Sequence, residues 1–332
     1  MEAYLQVRFN QAVIVGGGAI GTALANALAY NEKARTFLYS IEPDVVEEIN
    51  TRRHNTKYFP GVRLMGGFQA TTDTAVLKEA DVVFMAVPSV VVVDFIKAHV
   101  GLLPEKSAVV NLAKGFGPDG RTISEVLMED FPYPVAAMKG PSFARELIQG
   151  SPTGFTVGCT LPGLWHAFDD LFEPTPVYVD FSKDVRGVEL LSILKNIYAI
   201  AVGIMDAQFN TANLRFLFLT RAMAEMREVM LMFGGKKTTL FKYCGFGDFG
   251  LTSLNDLSRN RTLGLLIGKG FFNEQISEKV LLEGKIAVSI FCEHLMRRGR
   301  LSDFPILEGL YGIFGGTLDR SAFARRMLSK KQ

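Results

Sequence analysis

The sequence predicts a doubly wound α/β domain followed by an all-helical one. Short apolar runs alternate with helical stretches from residue 11 to Cys159, a glycine cluster stands where the first run gives way to the first helix, and beyond Asp184 the strand signal fades out. Runs that are apolar at every position belong to strands covered on both faces, as in a parallel sheet with helices above and below.

The elements follow in order. Residues 11–15 (QAVIV) form a β-branched run that ends at Gly16. Residues 22–30 predict a helix, with Leu24 and Leu28 one turn apart and several alanines that permit close packing. Residues 36–41 predict a second strand, 44–53 a helix, and Phe59-Pro60-Gly61 a turn. Residues 81–87 (DVVFMAV) predict a strand halted by Pro88-Ser89. A helix at 90–100, a strand at 108–113, a helix at 122–131 and strands at 135–139 and 156–159 complete this part. In the remainder, helical periodicity is longest over 185–205, 213–233 and 278–297. The expected domains are residues 1–182, binding a dinucleotide, and 183–332, helical and catalytic, with the cleft between them as the ligand site.

A chain of 332 residues fits two domains, and 48% hydrophobic against 21% charged residues supplies a sizeable core. A net charge of +2 gives no footing for nucleic acid or an acidic membrane surface. Cys159, Cys244 and Cys292 form no disulfide framework, and neither they nor His54, His99, His166 and His294 have the spacing of metal ligands. A reducing cytoplasm and no metal are expected. Residues 1–10 lack the apolar centre of a secretory signal. The most apolar stretch, 190–205, is interrupted by Lys195 and Asn196 and falls short of the roughly 20 residues that span a bilayer, so a buried helix is expected there and no membrane insertion.

Gly16, Gly18 and Gly21 fit G-x-G-x-x-G between a strand and a helix. Gly16 would permit the tight turn, Gly18 the approach of a pyrophosphate to the backbone, and Gly21 the close packing of helix on strand. The helix N-terminus then offers N–H groups and partial positive charge to phosphates. The pattern predicts a Rossmann-like domain that binds a nicotinamide dinucleotide. Its acidic partner on the adenosine ribose would be Glu42; no arginine or lysine stands at 39–43, which favours NAD, with NADP open because Arg35, Arg52 or Arg53 could reach a 2′-phosphate. Glu42 has a second reading, as a charge at the N-terminus of the 44–53 helix.

Lys195 lies in an almost uncharged helical stretch, with Leu191, Leu194, Tyr198 and Ala199 at neighbouring positions. Such an ammonium must pair or reach a polar cleft, where it can give a proton to a carbonyl oxygen as hydride reaches the carbon. The alternative is a lysine that snorkels or pairs with Glu189. Ser258-Arg259-Asn260-Arg261, preceded by Gly245, Gly247, Asp248 and Thr252, suits a phosphate or carboxylate; its other reading is a helix capped by Ser258 with solvated arginines. Lys114 closes a strand, where a doubly wound sheet places its ligands, or it is simply solvated there; Pro88 ends another strand and could wall the nicotinamide.

The order of these motifs resembles the bacterial-type NAD(P)-dependent glycerol-3-phosphate dehydrogenases. The likeness runs through GGGAIGTALA, HNTKYFPGVRL, AVPS, NLAKGF, KGPSFARELIQGSPT, DVRGVELLSILKNIYAIAVGI, NLRFLFLTRAMAEM, CGFGDFGLTSLNDLSRNR and LLEGK. It implies reversible reduction of dihydroxyacetone phosphate to sn-glycerol 3-phosphate. Lys195 would be the general acid/base, Lys114 would lie near the substrate carbonyl, and Asp248 and Thr252 would orient the lysine and substrate. Substrate contacts would further include Asn196, Gly140, Ser142, Ser258, Arg259 and Asn260. Cofactor contacts would include Ala19 and Ile20 beside the glycines, Glu42, Pro88, Lys114, Ala144, Arg259 and Glu283. The resemblance also implies a cytoplasmic homodimer.

The chain departs from that family at Leu191, Ser192 and Ile193, at the loop 207–213, which keeps Asn213 and, beyond it, Arg215 but lacks the family's glycines, and at the bulky Phe216, Leu217 and Phe218. Two other readings follow: a paralogue acting on another phosphorylated ketone or keto acid, and a non-catalytic NAD-binding sensor. Retention of Lys114, Lys195, Asp248, Thr252 and Arg259 speaks against the sensor.

Overall fold

The computed structural model describes residues 7–271 and 278–329. Two compact units, Met1–Glu189 and Leu190–Gln332, divide the chain and are taken separately.

The first unit is built on eight strands: β1 (Gln11–Val15), β2 (Arg35–Tyr39), β3 (Phe68–Thr71), β4 (Val82–Met85), β5 (Ala108–Asn111), β6 (Val135–Lys139), β7 (Thr153–Cys159) and β8 (Val177–Ser182). Their order across the sheet is β3-β2-β1-β4-β5-β6-β7-β8. The chain steps outward from β1 to β3, then crosses back over β1 to lay β4 on its other side. That reversal places a topological switch point between β1 and β4. All neighbours run parallel except β6 and β7, where Ala136 lies opposite Cys159 in an antiparallel pair. The sole helix between them, α5 (Ala144–Leu147), has four residues. It is too short to carry the chain back along the sheet, so β7 returns in the opposite sense.

β1 is buried at all five positions because its two faces meet two different cores. Ala12 and Ile14 join Leu24 and Leu28 of helix α1 (Ala19–Leu28) and Phe168 of a helix spanning Pro162–Phe172. Val13 and Val15 join Val92 and Ile96 of α3 (Ser89–Ala98), and Ile123 and Leu127 of α4 (Ile123–Asp130). The remaining helix on this side of the chain, α2, spans Pro43–Arg52. Burying a side chain of this size is worth about 1.5–3 kcal/mol, so the apolar run at 12–15 is what anchors the strand. β3 and β8 are strands that the sequence pattern does not reveal. β3 is only four residues (FQAT) and β8 exposes Tyr178, both being edge strands with one wet face.

The second unit has no strand among its described residues. Its long helices are α7 (Val185–Phe209, which begins in the first unit), α8 (Ala212–Met232), α10 (Arg259–Lys269) and α11 (Glu278–Arg297). Shorter ones are α9 (Asp248–Leu254), α12 (Pro305–Phe314) and α13 (Arg320–Leu328), and the Pro162–Phe172 helix completes the series as α6. Helix α7 is long and apolar enough to cross a membrane, but 94% of its most apolar window is buried. It meets α10 backbone to backbone: a Cβ on Gly203 would lie 2.3 Å from Arg261 O, and one on Gly264 2.0 Å from Ile200 O. Helix α8 carries a buried carboxylate, Glu225, which accepts Ile306 N–H (3.0 Å), Leu307 N–H (2.9 Å) and Tyr198 O–H (3.1 Å). Burial outweighs these donors and pushes its carboxyl up to about 7.

Candidate active site

The glycine turn sits at the switch point. Gly16 has φ +119° and donates its N–H to Tyr39 O at 2.8 Å; a Cβ there would lie 2.5 Å from Ala86 O, just past the end of β4. Gly21 faces the same turn, since its Cβ would lie 1.9 Å from Gly16 O. Gly18 differs. It is the N-cap of α1, and its Cβ would meet nothing nearer than Tyr58 Cε1 at 4.0 Å. The space that a side chain would fill is open, next to the leading N–H groups of Ala19, Ile20 and Gly21, which have no carbonyl a turn earlier in the helix to bond. That cradle fits a dinucleotide pyrophosphate.

Glu42 occupies the N-cap position of α2 but makes no capping bond. Its carboxylate is instead engaged by Lys57 Nζ and by Tyr58 O–H at 3.3 Å. Of the arginines considered for a 2′-phosphate, Arg35 pairs with Glu79 (3.1 Å) at the far end of β2, and Arg53 donates to Phe68 O (3.0 Å). Lys57 and Tyr58 escape a reading by spacing, because only the folded return of the chain after α2 brings them to the end of β2.

Lys114, half-buried, follows β5, and a Cβ on its neighbour Gly115 would lie 2.6 Å from Ser89 Oγ. Lys114 and the exposed Pro88, N-cap of α3, therefore stand on one end of the sheet. Beneath them Lys139 is fully buried and donates to Asn111 O (2.8 Å) and Ala113 O (2.5 Å), bracing the segment that carries Lys114. Lys139 is a further residue that the motifs contain but the sequence reading leaves without a role. Ser142 Oγ donates to Gly140 O at 3.0 Å, and Ala144 opens α5. Gly140 is a glycine for packing reasons, its Cβ falling 2.2 Å from Gly154 O on β7.

In the second unit Lys195 is buried to 4% exposure on α7 and donates to Asp248 Oδ1 at 2.6 Å and Thr252 Oγ1 at 2.9 Å. Asp248 and Thr252 are one turn apart on α9 and so share a face. A π-helical turn, Tyr243–Gly247, delivers α9, and a Cβ on Gly245 would lie 2.0 Å from Leu240 O. Lys195 thus pairs with Asp248, and Glu189 accepts from Asn111 Nδ2 and from Ser124 N–H at 3.0 Å. Neighbouring Asn196 is half-buried in an otherwise buried run of α7.

The Ser258–Arg261 cluster divides by role. Ser258 Oγ caps α10 by accepting Arg261 N–H at 3.2 Å. Arg261 is buried and ion-paired to Asp206 Oδ2 (3.0 Å) and to the exposed Asp256, so both terminal nitrogens of its fork are engaged by the chain's own carboxylates. Arg259 is exposed at the first turn of α10 and makes no side-chain hydrogen bond or ion pair among the described residues. Its guanidinium, with half-buried Asn260 and the helix N-terminus, suits an anion. Arg215 is held by Asp206 (2.7 and 3.0 Å), and Phe216 and Leu217 beside it are exposed while Phe218 is buried. Glu283 is exposed on α11.

A pyrophosphate cradle at the switch point of a doubly wound sheet, joined to a helical unit that holds a buried lysine–carboxylate pair, defines a nicotinamide-dependent dehydrogenase. The chain belongs to the NAD-dependent glycerol-3-phosphate dehydrogenase family, whose N-terminal domain matches residues 11–163 and whose C-terminal domain matches 184–324. It is 37% identical to the glycerol-3-phosphate dehydrogenase [NAD(P)+] of Methanothermobacter thermautotrophicus over 302 residues, which are 90% of this chain and 91% of that one. The enzyme of that name from Stenotrophomonas maltophilia is 33% identical over 96% of this chain and 94% of its own. A crystal structure of glycerol-3-phosphate dehydrogenase from Coxiella burnetii matches with a TM-score of 0.85 at 27% identity, covering 97% of this chain and 99% of that one. The Plasmodium falciparum protein shares the fold, with a TM-score of 0.87 at 19% identity over 99% of this chain and 98% of its own.

Proposed function

We propose that this chain interconverts dihydroxyacetone phosphate and sn-glycerol 3-phosphate, with Lys195 as the general acid/base. The observation that carries the proposal is the buried Lys195–Asp248–Thr252 constellation. An ammonium taken out of water is tolerated because Asp248 compensates its charge, and two fixed acceptors orient it. A nicotinamide held in this site would supply hydride to the ketone carbon or take it back. Lys195 gives the carbonyl oxygen its proton in reduction and accepts it in oxidation. Arg259 and Asn260 hold the phosphate, with Ser258 adding the hydroxyl proton that its capping role leaves unused. Lys114 and Asn196 position the carbonyl end, and Gly140 and Ser142 line it.

The turn formed by Gly16, Gly18, Ala19, Ile20 and Gly21 would hold the cofactor, with Glu42 at the adenosine ribose. Pro88, Lys114, Ala144, Arg259 and Glu283 would be its further contacts. The domains of the reading are 1–182 and 183–332. Exposure of Phe216 and Leu217 supports a local repacking of α8 and not a substrate pocket filled by bulk. The chain would work as a homodimer and in the cytoplasm, a location that suits three buried cysteines with no disulfide among them.

The test is oxidation of NADH or NADPH, followed by absorbance, with dihydroxyacetone phosphate and with unphosphorylated dihydroxyacetone. Turnover of the first and a loss of about a hundredfold or more in kcat/KM for the second support the proposal. Equal rates on both ketones would contradict it.

A further inference from the structure

We propose that Lys57 is the residue through which this chain accepts a coenzyme phosphorylated at the adenosine 2′ position. The inference rests on the reading that Glu42 faces the adenosine ribose, and it adds a cation to that corner. Sequence spacing shows an acidic residue after β2 and no base beside it; Ile41, the neighbour, is 82% exposed and uncharged. The folded chain supplies the base from elsewhere. Lys57 Nζ bonds Glu42 Oε1, and Tyr58 O–H bonds the other oxygen. The Tyr58 ring is also the nearest group to the open face of Gly18, so this corner adjoins the pyrophosphate cradle.

The chemistry of the two coenzymes differs at one group. A ribose hydroxyl donates to a carboxylate, whereas a 2′-phosphate is repelled by it and needs a cation. Glu42 alone would exclude the phosphate. With Lys57 beside it, the ammonium can move from carboxylate to phosphate and offset the repulsion. Lys57 can make that exchange because its side chain is 52% exposed and solvent already competes for the pair, while the half-buried Glu42 keeps its hydrogen bond from Tyr58 O–H. The other basic side chains near this part of the fold are committed elsewhere or stand apart. Arg35 is paired with Glu79, Arg53 is bonded to Phe68 O, and Arg52 is exposed in the last turn of α2, at the opposite end from Glu42. Lys57 also lies 5.6 Å over the Tyr58 ring, which confines it near the site when the carboxylate is given up.

The test uses two adenosine fragments, so it does not depend on turnover. Adenosine 2′,5′-bisphosphate and ADP are titrated calorimetrically into the full chain and into its Lys57→Ala, Lys57→Arg and Glu42→Gln variants. Lys57→Ala is expected to weaken the bisphosphate by about tenfold or more, with ADP changed less than about twofold, and Lys57→Arg to restore the bisphosphate. The wild-type affinity for the bisphosphate should fall as salt is raised. Equal losses for both fragments would make Lys57 a structural residue and overturn the proposal. So would no loss for either, or no binding of the bisphosphate by the wild type. Glu42→Gln reports separately on the underlying reading. If it leaves ADP binding unchanged while Lys57→Ala remains selective, the ribose role of Glu42 fails and the role of Lys57 stands.

Discussion

Replacing each of two glycines of the fingerprint by alanine separates a role in folding from a role in binding. Gly18 has φ −71° and ψ −176°, values open to alanine, and its Cβ would find only Tyr58 Cε1 at 4.0 Å. Gly18→Ala is therefore expected to keep the fold, or even to gain about 0.4–1 kcal/mol by stiffening the unfolded chain. Its methyl group would stand where the pyrophosphate approaches, and the Kd for NADH should rise by at least about tenfold. Gly16→Ala meets a φ of +119° and a contact of 2.5 Å with Ala86 O. The strained backbone costs about 1–3 kcal/mol and the overlap about 1–3 more, so a loss of about 2–6 kcal/mol is expected. Thermal unfolding without ligand and fluorescence titration with NADH measure the two quantities independently. A stable Gly18→Ala variant that binds NADH as the wild type does would refute the placement of the pyrophosphate.

Arg259→Ala should raise KM for dihydroxyacetone phosphate by about tenfold or more, with unfolding unchanged, because the side chain is exposed and unpaired among the described residues; steady-state kinetics and a melting curve check both halves. Glu225 gives a pH dependence whose sign is fixed. Its carboxyl is raised from 4.5 to about 7 by burial, so the folded chain holds a proton that the unfolded chain has released. The resulting stability, about 3 kcal/mol, is fully present below about pH 4.5 and is lost as pH rises through about 7. Denaturant unfolding of Glu225→Gln should lack this component of the slope between pH 5 and 8, and a slope identical to that of the wild type would contradict the assignment. Asp248→Asn leaves a buried lysine uncompensated and should cost about 3–5 kcal/mol in the same assay.

What the sequence discloses and what it hides have physical reasons. β1, Gly16 and Gly21 are legible because a strand buried on both faces is apolar along most of its length, here at 12–15, and because a turn that admits no Cβ must be glycine. β3 and β8 are hidden since an edge strand with one wet face needs no such pattern. Lys195 stands out because the stretch 190–205 of its helix carries no other charge, yet its partner could not be named from spacing: Asp248 lies 53 residues away. Arg259 and Arg261 look alike in sequence, and only the fold separates the exposed one from the one locked against Asp206 and Asp256. The Glu42–Lys57 pair is likewise a product of the chain's return after α2.

The central claim is that Lys195 moves the proton. Its most direct test is dihydroxyacetone phosphate reduction by Lys195→Met, with the double variant Lys195→Met/Asp248→Asn in parallel so that no buried carboxylate is left unpaired. Both variants should bind NADH as the wild type does and lose about a thousandfold or more in kcat. A folded variant that reduces the ketone at a near-normal rate would remove Lys195 from the chemistry.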